Sequence, residues 1–234
     1  MFIPSGEGDC SSFDKVATLL SSTFKITTFD LPGFSRSPAP PSAMENLTPI
    51  ILARQIIPLM DKLGIPSTTI YASSSGGLIG RALLIHYPER VERLIIHEVP
   101  LSIPPGMDVI SQLADTNEPQ VVAICADLFK NVMNEDRTAW EALGPEYHKR
   151  LEKNYVTWIR SYVKSLPFTE WKKEEVMTKP VFWTVGALST MGAWFDNVVM
   201  ACETGIKIGM LPCRHFPQVS IPDKLVEYIR GCCK

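Results

Sequence analysis

Residues 70–77 read Ile70-Tyr71-Ala72-Ser73-Ser74-Ser75-Gly76-Gly77, and this stretch decides the fold. An apolar run breaks into small residues and continues into the amphipathic segment Leu78 to Tyr87, the pattern of a buried strand turning sharply into a helix. Such a nucleophile elbow strains the backbone at its apex, so the residues two before and two after the nucleophile have to be small. Ala72 and Gly76 frame Ser74 in that way. Ser73 and Gly77 frame Ser75 as a second choice, whereas bulky Tyr71 excludes Ser73. A serine-rich turn after an ordinary parallel strand is the bland alternative.

Working outward from the elbow, the pattern is that of an α/β protein. Upstream, Met1 to Pro4 looks like the end of a buried strand, and Ser5 to Asp9 is a glycine-bearing loop. A helix capped by Ser11 or Ser12 follows to about Ser22, then a strand over Lys25 to Phe29 and an irregular proline-rich loop through Pro41. Leu47 to Leu63 has helical period and is stopped by Gly64 and Pro66, ahead of a strand at Thr68 to Ala72. Downstream, Val91 to His97 is a third apolar strand, which makes a mostly parallel sheet flanked by helices. From Pro100 to about Lys179 the pattern is helical alone: Asp108 to Ala114, Gln120 to Met133, Trp140 to Ser165 with a break, and Glu170 to Met177. Strands return at Val181 to Val185 and Ile206 to Leu211, with helices at Met191 to Thr204 and Asp223 to Gly231. The expected division is an α/β core of residues 1–99 and 180–234 with a helical cap of residues 100–179. Met1 to Pro4 looks like the last turn of a strand with nothing before it, so N-terminal strands are expected to be missing.

Composition narrows the functions. A chain of 234 residues, 45% hydrophobic, supports one large core, and a net charge of -2 with mixed signs leaves no basic stripe for nucleic acid or an anionic membrane. Charged residues such as Arg54 and Arg93 interrupt the apolar runs before any reaches a membrane span. The six cysteines are scattered without CxxC spacing and read as reduced thiols, which suggests a cytoplasmic protein. Asn46-Leu47-Thr48 matches a glycosylation sequon by chance composition and reads as a loop entering a helix.

Serine acyl transfer needs a base in reach and a carboxylate holding that base in one tautomer. Of four histidines, His86 lies in the elbow helix, His97 in or at the end of a strand, and His148 on a charged helix face. His215 follows the last strand at the carboxyl edge of the sheet, where ligands of open α/β folds collect. Its bland reading is a surface loop histidine. The loop Gly186 to Thr190 offers no carboxylate and Asp196 comes only within a later helix, so Glu98, just after the third strand, is the expected acid. Pairing of Glu98 with a neighbouring base is the alternative. Backbone N–H groups of Ser75 and Gly6 are the expected oxyanion donors.

These residues carry a resemblance. TTFDLPGFSRS (27–37), SSSGG, HEVP, KNYVTWIRSY (153–162), KPVFWTVGA, WFDNVV and IGMLPCRHFP resemble the fungal zearalenone hydrolases, lactonases of the α/β-hydrolase superfamily, over nearly the whole chain. The resemblance implies a Ser74, Glu98, His215 triad, oxyanion donors at Gly6 and Ser75, and no cofactor. It also implies substrate contacts at Trp158, Ser5, Val132 and Tyr162. Three features depart from the family pattern: Ala72 stands where the elbow has a glycine, Ser5 stands where an acidic residue precedes the oxyanion glycine, and the first two strands of the family's α/β-hydrolase sheet and part of the third are missing. By spacing alone Tyr155, Trp158 and Tyr162 share one helix face and read as an aromatic packing stripe; the resemblance places Trp158 over a bound lactone.

The expected activity is therefore opening of a resorcylic macrolactone such as zearalenone through an acyl-enzyme. Two rivals stand beside it, an esterase or lactonase for another phenolic or macrocyclic ester and a non-catalytic small-ligand-binding protein of the same fold. A small apolar lactone or ester is the expected partner, and the fold resemblance suggests a homodimer.

Overall fold

The computed structural model of the chain describes residues 1–102, 110, 112–163, 171–190 and 194–234. Among the described residues five parallel strands form one sheet whose spatial order follows the chain: β1 (Phe2–Ile3), β2 (Thr68–Ser73), β3 (Val91–His97), β4 (Val181–Gly186) and β5 (Ile208–Leu211). From Ile70 in β2, Leu94 in β3 and Trp183 in β4 onward the middle strands are buried on both faces, as parallel sheets require. Alternation along the strands divides the core in two. Ile70, Ala72, Leu94 and Ile96 point to one face, under the helices Pro49–Lys62 and Ser75–His86. Tyr71 and Ile95 point to the other, where Phe13, Val16 and Leu20 meet Leu225, Val226 and Ile229 of the helix Pro222–Cys232.

Local chemistry accounts for the helix boundaries. Thr48 Oγ1 accepts the Ile51 N–H at 3.2 Å and Pro49 occupies the first turn, so the helix starts where its free N–H groups are capped or absent. It stops at Gly64, whose φ of 63° suits glycine. Upstream, Asp9 rather than a serine caps the first turn, its Oδ1 accepting the Ser11 N–H at 2.8 Å ahead of Cys10–Phe13 and Asp14–Leu20.

The expected strand at Lys25 to Phe29 is not formed. It shrinks to a single bridge between Phe2 and Thr28, with the Phe2 N–H donating to Thr27 O at 2.9 Å. Its partner β1 has two residues and runs into Pro4, which has no N–H to continue a ladder. The proline-rich loop, expected to be irregular, contains a short helix at Pro41–Met44.

Between β3 and β4 the structure has the helices Glu118–Asp127, Arg137–Glu141, Pro145–Thr157 and Lys173–Val176. Two of the segments end in π-helical turns, Leu128–Val132 and Trp158–Tyr162. The expected break after Trp140 falls at Gly144, with φ 90°, followed by Pro145. Parts of the helices expected at Asp108 to Ala114, Trp140 to Ser165, Glu170 to Met177 and Met191 to Thr204 lie outside the described residues. Among the described residues no helix is long and apolar enough to cross a membrane.

Candidate active site

The elbow forms where β2 ends. Ser74 has φ 52° and ψ −129°, a left-handed conformation that costs a non-glycine residue about 1–3 kcal/mol. Surrounding bonds hold it there: the Ser74 N–H donates to His97 O at 2.8 Å, and Gly77 N–H donates to Ser74 O at 2.8 Å. The helix Ser75–His86 then passes so close to the end of β1 that a Cβ on Gly76 would sit 2.4 Å from Pro4 O. Ala72 is fully buried, and a Cβ on Gly80 would stand 3.3 Å from its methyl group. The small residues of the motif are thus explained by the approach of strand to helix. Ser74 sits at the apex, and Ser75 is the first residue of the helix with a buried side chain.

Glu98 follows β3 directly and is also strained, with φ 45°. Its Oε2 accepts a hydrogen bond from His215 Nδ1 at 2.7 Å. Its Oε1 accepts the Gly186 N–H at 2.7 Å and the Ser189 hydroxyl at 2.6 Å. The loop after β4, which has no carboxylate of its own, therefore contributes donors to the one supplied by β3. Burial alone would raise the Glu98 carboxyl; neighbouring His97, the hydrogen bond from His215 and the Ser189 hydroxyl outweigh it and hold the group below its ordinary value. Burial pushes His97 down to about 4, so near neutral pH it is uncharged and the depression of Glu98 rests on His215 and the hydrogen-bond donors.

His215 is buried against an aromatic wall. Trp194 stacks on its ring at 4.8 Å and 6°, and Phe216 meets it edge-on at 5.2 Å. Its N–H donates to Met133 O at 2.9 Å, and the preceding Arg214 N–H donates to Glu135 Oε2 at 2.8 Å, tying the histidine loop to the helical insertion. His97, fully buried beside it, pairs Nδ1 with the Thr184 hydroxyl at 3.0 Å and Nε2 with Arg214 O at 3.3 Å. It braces the loop from below. Asp196, the rejected acid, bonds Ser102 at an exposed position.

The His97 environment predicts acid lability. Its folded value of about 4 lies below the ordinary 6.5, so the unfolded chain binds the extra proton between those values. The stability involved is present above about pH 6.5 and is lost as pH falls toward 4, of order 3 kcal/mol in all. Thermal denaturation followed from pH 7 to 4.5 should show a falling Tm, with a shallower fall in His97→Gln. A flat wild-type profile would count against a buried neutral His97.

The remaining candidate residues lie in the helical insertion between β3 and β4 and in the loop after β1. Gly6 is covered by Trp158, since a Cβ there would stand 2.5 Å from the indole nitrogen. Trp158 opens the second π-helical turn, a geometry that often marks functional positions, and meets Phe129 edge-on at 5.2 Å. Val132, at the end of the first π-helical turn, is 50% exposed. Tyr155 and Tyr162 are packing residues. Tyr162 is fully buried, its hydroxyl donating to Pro32 O at 3.0 Å and its ring edge-on to Phe34, so its polar end is already engaged. Ser5 is buried and bonded to Glu7, a residue the sequence reading passed over. Among the described residues, no group of three or more His, Cys, Asp or Glu side chains is arranged to hold a metal ion.

The parallel sheet and strained elbow define the α/β-hydrolase class, and residues 1–179 match the family model for the alpha/beta hydrolase fold. Zearalenone hydrolase of Bionectria ochroleuca is 38% identical over 98% of this chain and 87% of its own length. Zearalenone hydrolase of Cladophialophora bantiana is 40% identical over 98% of this chain and 86% of its own. The enol-lactonase from Burkholderia xenovorans superposes with a TM-score of 0.76 at 18% identity, covering 99% of this chain and 89% of that one, a likeness of fold alone. The chain belongs to the zearalenone hydrolase family of α/β hydrolases.

Proposed function

We propose that this protein is a serine lactone hydrolase that opens zearalenone or a closely similar resorcylic macrolactone. The observation that carries the mechanism is the hydrogen bond from His215 Nδ1 to Glu98 at 2.7 Å, in a chain whose strained elbow presents Ser74. The substrate class is supported by the two zearalenone hydrolases that match across nearly the whole chain.

In this reading His215 Nε2 takes the Ser74 proton as Oγ attacks the lactone carbonyl, and Glu98 stabilises the imidazolium while holding the tautomer. Negative charge develops on the carbonyl oxygen, toward which the Gly6 and Ser75 N–H groups point in this reading. Collapse breaks the ring ester bond, and His215 returns the proton to the departing alkoxide. That alcohol stays attached to the acyl chain, so the whole substrate is held on Ser74. His215 then activates water, which releases the ring-opened acid. The π-helical tryptophan covers the apolar part of the ligand and excludes water. A small apolar ester is the partner this pocket chemistry suits. Incubation with zearalenone followed by mass spectrometry should yield a product heavier by one water; unchanged lactone would reject the reading.

The role given to Trp158 has its own test. Trp158→Ala should lower kcat/KM for zearalenone at least tenfold, about 1.4 kcal/mol of transition-state stabilisation, with much less effect on a small phenyl ester. Equal losses on both substrates with a lowered Tm would make Trp158 a packing residue only.

A further inference from the structure

Ser5 and Glu7 bracket Gly6, and their side chains meet beneath the loop. Glu7 is fully buried. Its Oε2 accepts a hydrogen bond from the Ser5 hydroxyl, and its Oε1 accepts one from the Ser12 hydroxyl at 3.2 Å. Its backbone carbonyl accepts Asn154 Nδ2 at 2.7 Å, so the residue links the loop after β1, the first helical turn and the helical insertion. The nearby cations are engaged elsewhere: Arg36 pairs with Asp9 and Asp30, and Arg150 with Asp9. Among the described residues, no Lys or Arg forms an ion pair with Glu7.

An ionised carboxylate in this position would be buried without a countercharge, a state that two neutral hydroxyls compensate poorly. A neutral carboxyl suits the same partners better, because it can donate to one serine and accept from the other. From this geometry we propose that Glu7 acts as a neutral positioning residue, bridging Ser5 to Ser12 so that the intervening Gly6 N–H is held facing the oxyanion. The inference rests on the serine-hydrolase reading above.

The surroundings fit a neutral group. Burial drives the carboxyl above its ordinary value, opposed by Ser5, by its own backbone, by His215 and by Ser12. The other titratable neighbours are phenols, Tyr71 from β2 and Tyr147 and Tyr155 from Pro145–Thr157, each shifted upward by burial first and by Glu7 among later causes. His215 is thus the one neighbour that becomes cationic during the reaction. With Glu7 neutral, Glu98 alone acts on that cation as a carboxylate, and the His215 proton remains available for the leaving alkoxide.

The sign of the pH dependence follows from a raised folded value. The contribution of Glu7 to stability is fully present below its unfolded value, near 4.5, and is lost as pH rises through its folded value. Activity should fall over the same range, as ionisation rearranges the serine contacts.

The test measures kcat, KM and Tm from about pH 4 to 10 on zearalenone for the wild type, Glu7→Gln, Glu7→Ala and Ser74→Ala. Glu7→Gln should keep kcat within about threefold at the wild type's optimum and retain both activity and Tm to higher pH than the wild type. Glu7→Ala should lose at least about tenfold in kcat while KM stays within about threefold. Equal damage in Glu7→Gln and Glu7→Ala would show that the charge is required, and unchanged kcat in Glu7→Ala would show that the loop needs no clamp; either overturns the inference. Should Glu7→Ala fail to fold, superimposable pH profiles of wild type and Glu7→Gln overturn it, and profiles in which Glu7→Gln holds to higher pH support it. Full activity in Ser74→Ala would instead reject the underlying serine mechanism.

Discussion

Glu98→Gln is expected to lower kcat for lactone opening by about 10³–10⁴ while leaving KM nearly unchanged. The Glu98 side chain does several things at once. Oε2 faces His215 Nδ1, and Oε1 takes the Gly186 N–H and the Ser189 hydroxyl, so the carboxylate is locked by donors on both oxygens. An amide placed there presents an NH₂ group to one of these donors. It either clashes electrostatically with Gly186 and Ser189 or turns the imidazole to the wrong tautomer. Losing the negative charge also removes the stabilisation of the imidazolium formed in the transition state. Asp196→Asn serves as the comparison, because the exposed Asp196 carboxylate accepts from the Ser102 hydroxyl and has no hydrogen bond to His215 among the described residues, so the variant should leave kcat unchanged. Equal losses in the two variants would move the acid away from Glu98.

Ser74→Ala is expected to abolish acyl-enzyme formation, leaving at most the residual rate supplied by binding and the oxyanion donors. The fold should survive. Alanine at φ 52° keeps a strain similar to that of serine, and no side-chain hydrogen bond of Ser74 caps the helix. Ser75→Ala makes the sharper contrast, since it removes a buried hydroxyl without a partner and leaves the backbone N–H in place. That variant should stay active. A dead Ser75→Ala beside an active Ser74→Ala would shift the apex of the chemistry by one residue.

The residues legible from sequence alone are those whose chemistry is local. Ala72, Ser74 and Gly76 carry the elbow because close approach of strand and helix tolerates nothing larger, and that requirement is written within the short stretch from 72 to 76. Glu98 was reached by elimination, from a loop after β4 without a carboxylate. The same loop shows what could not be read: Ser189 donates to Glu98 across 91 positions of sequence, and no local pattern announces such a contact. Trp194 stacked on His215 belongs to the same class, as does Glu7, whose burial depends on helices far along the chain. The Lys25 to Phe29 segment failed for a related reason. Its alternation is that of a strand, but a ladder needs a partner of comparable length, and β1 has two residues.

The central claim, nucleophilic attack on a lactone by Ser74, is tested most directly by active-site labelling. The protein is treated with a fluorophosphonate, the rate of zearalenone opening is followed as label accumulates, and the modified peptide is identified by mass spectrometry. One equivalent of label on Ser74, with lactone opening lost in proportion, is the predicted result. Lactone opening that continues after full labelling, or label carried by Ser75, would contradict it.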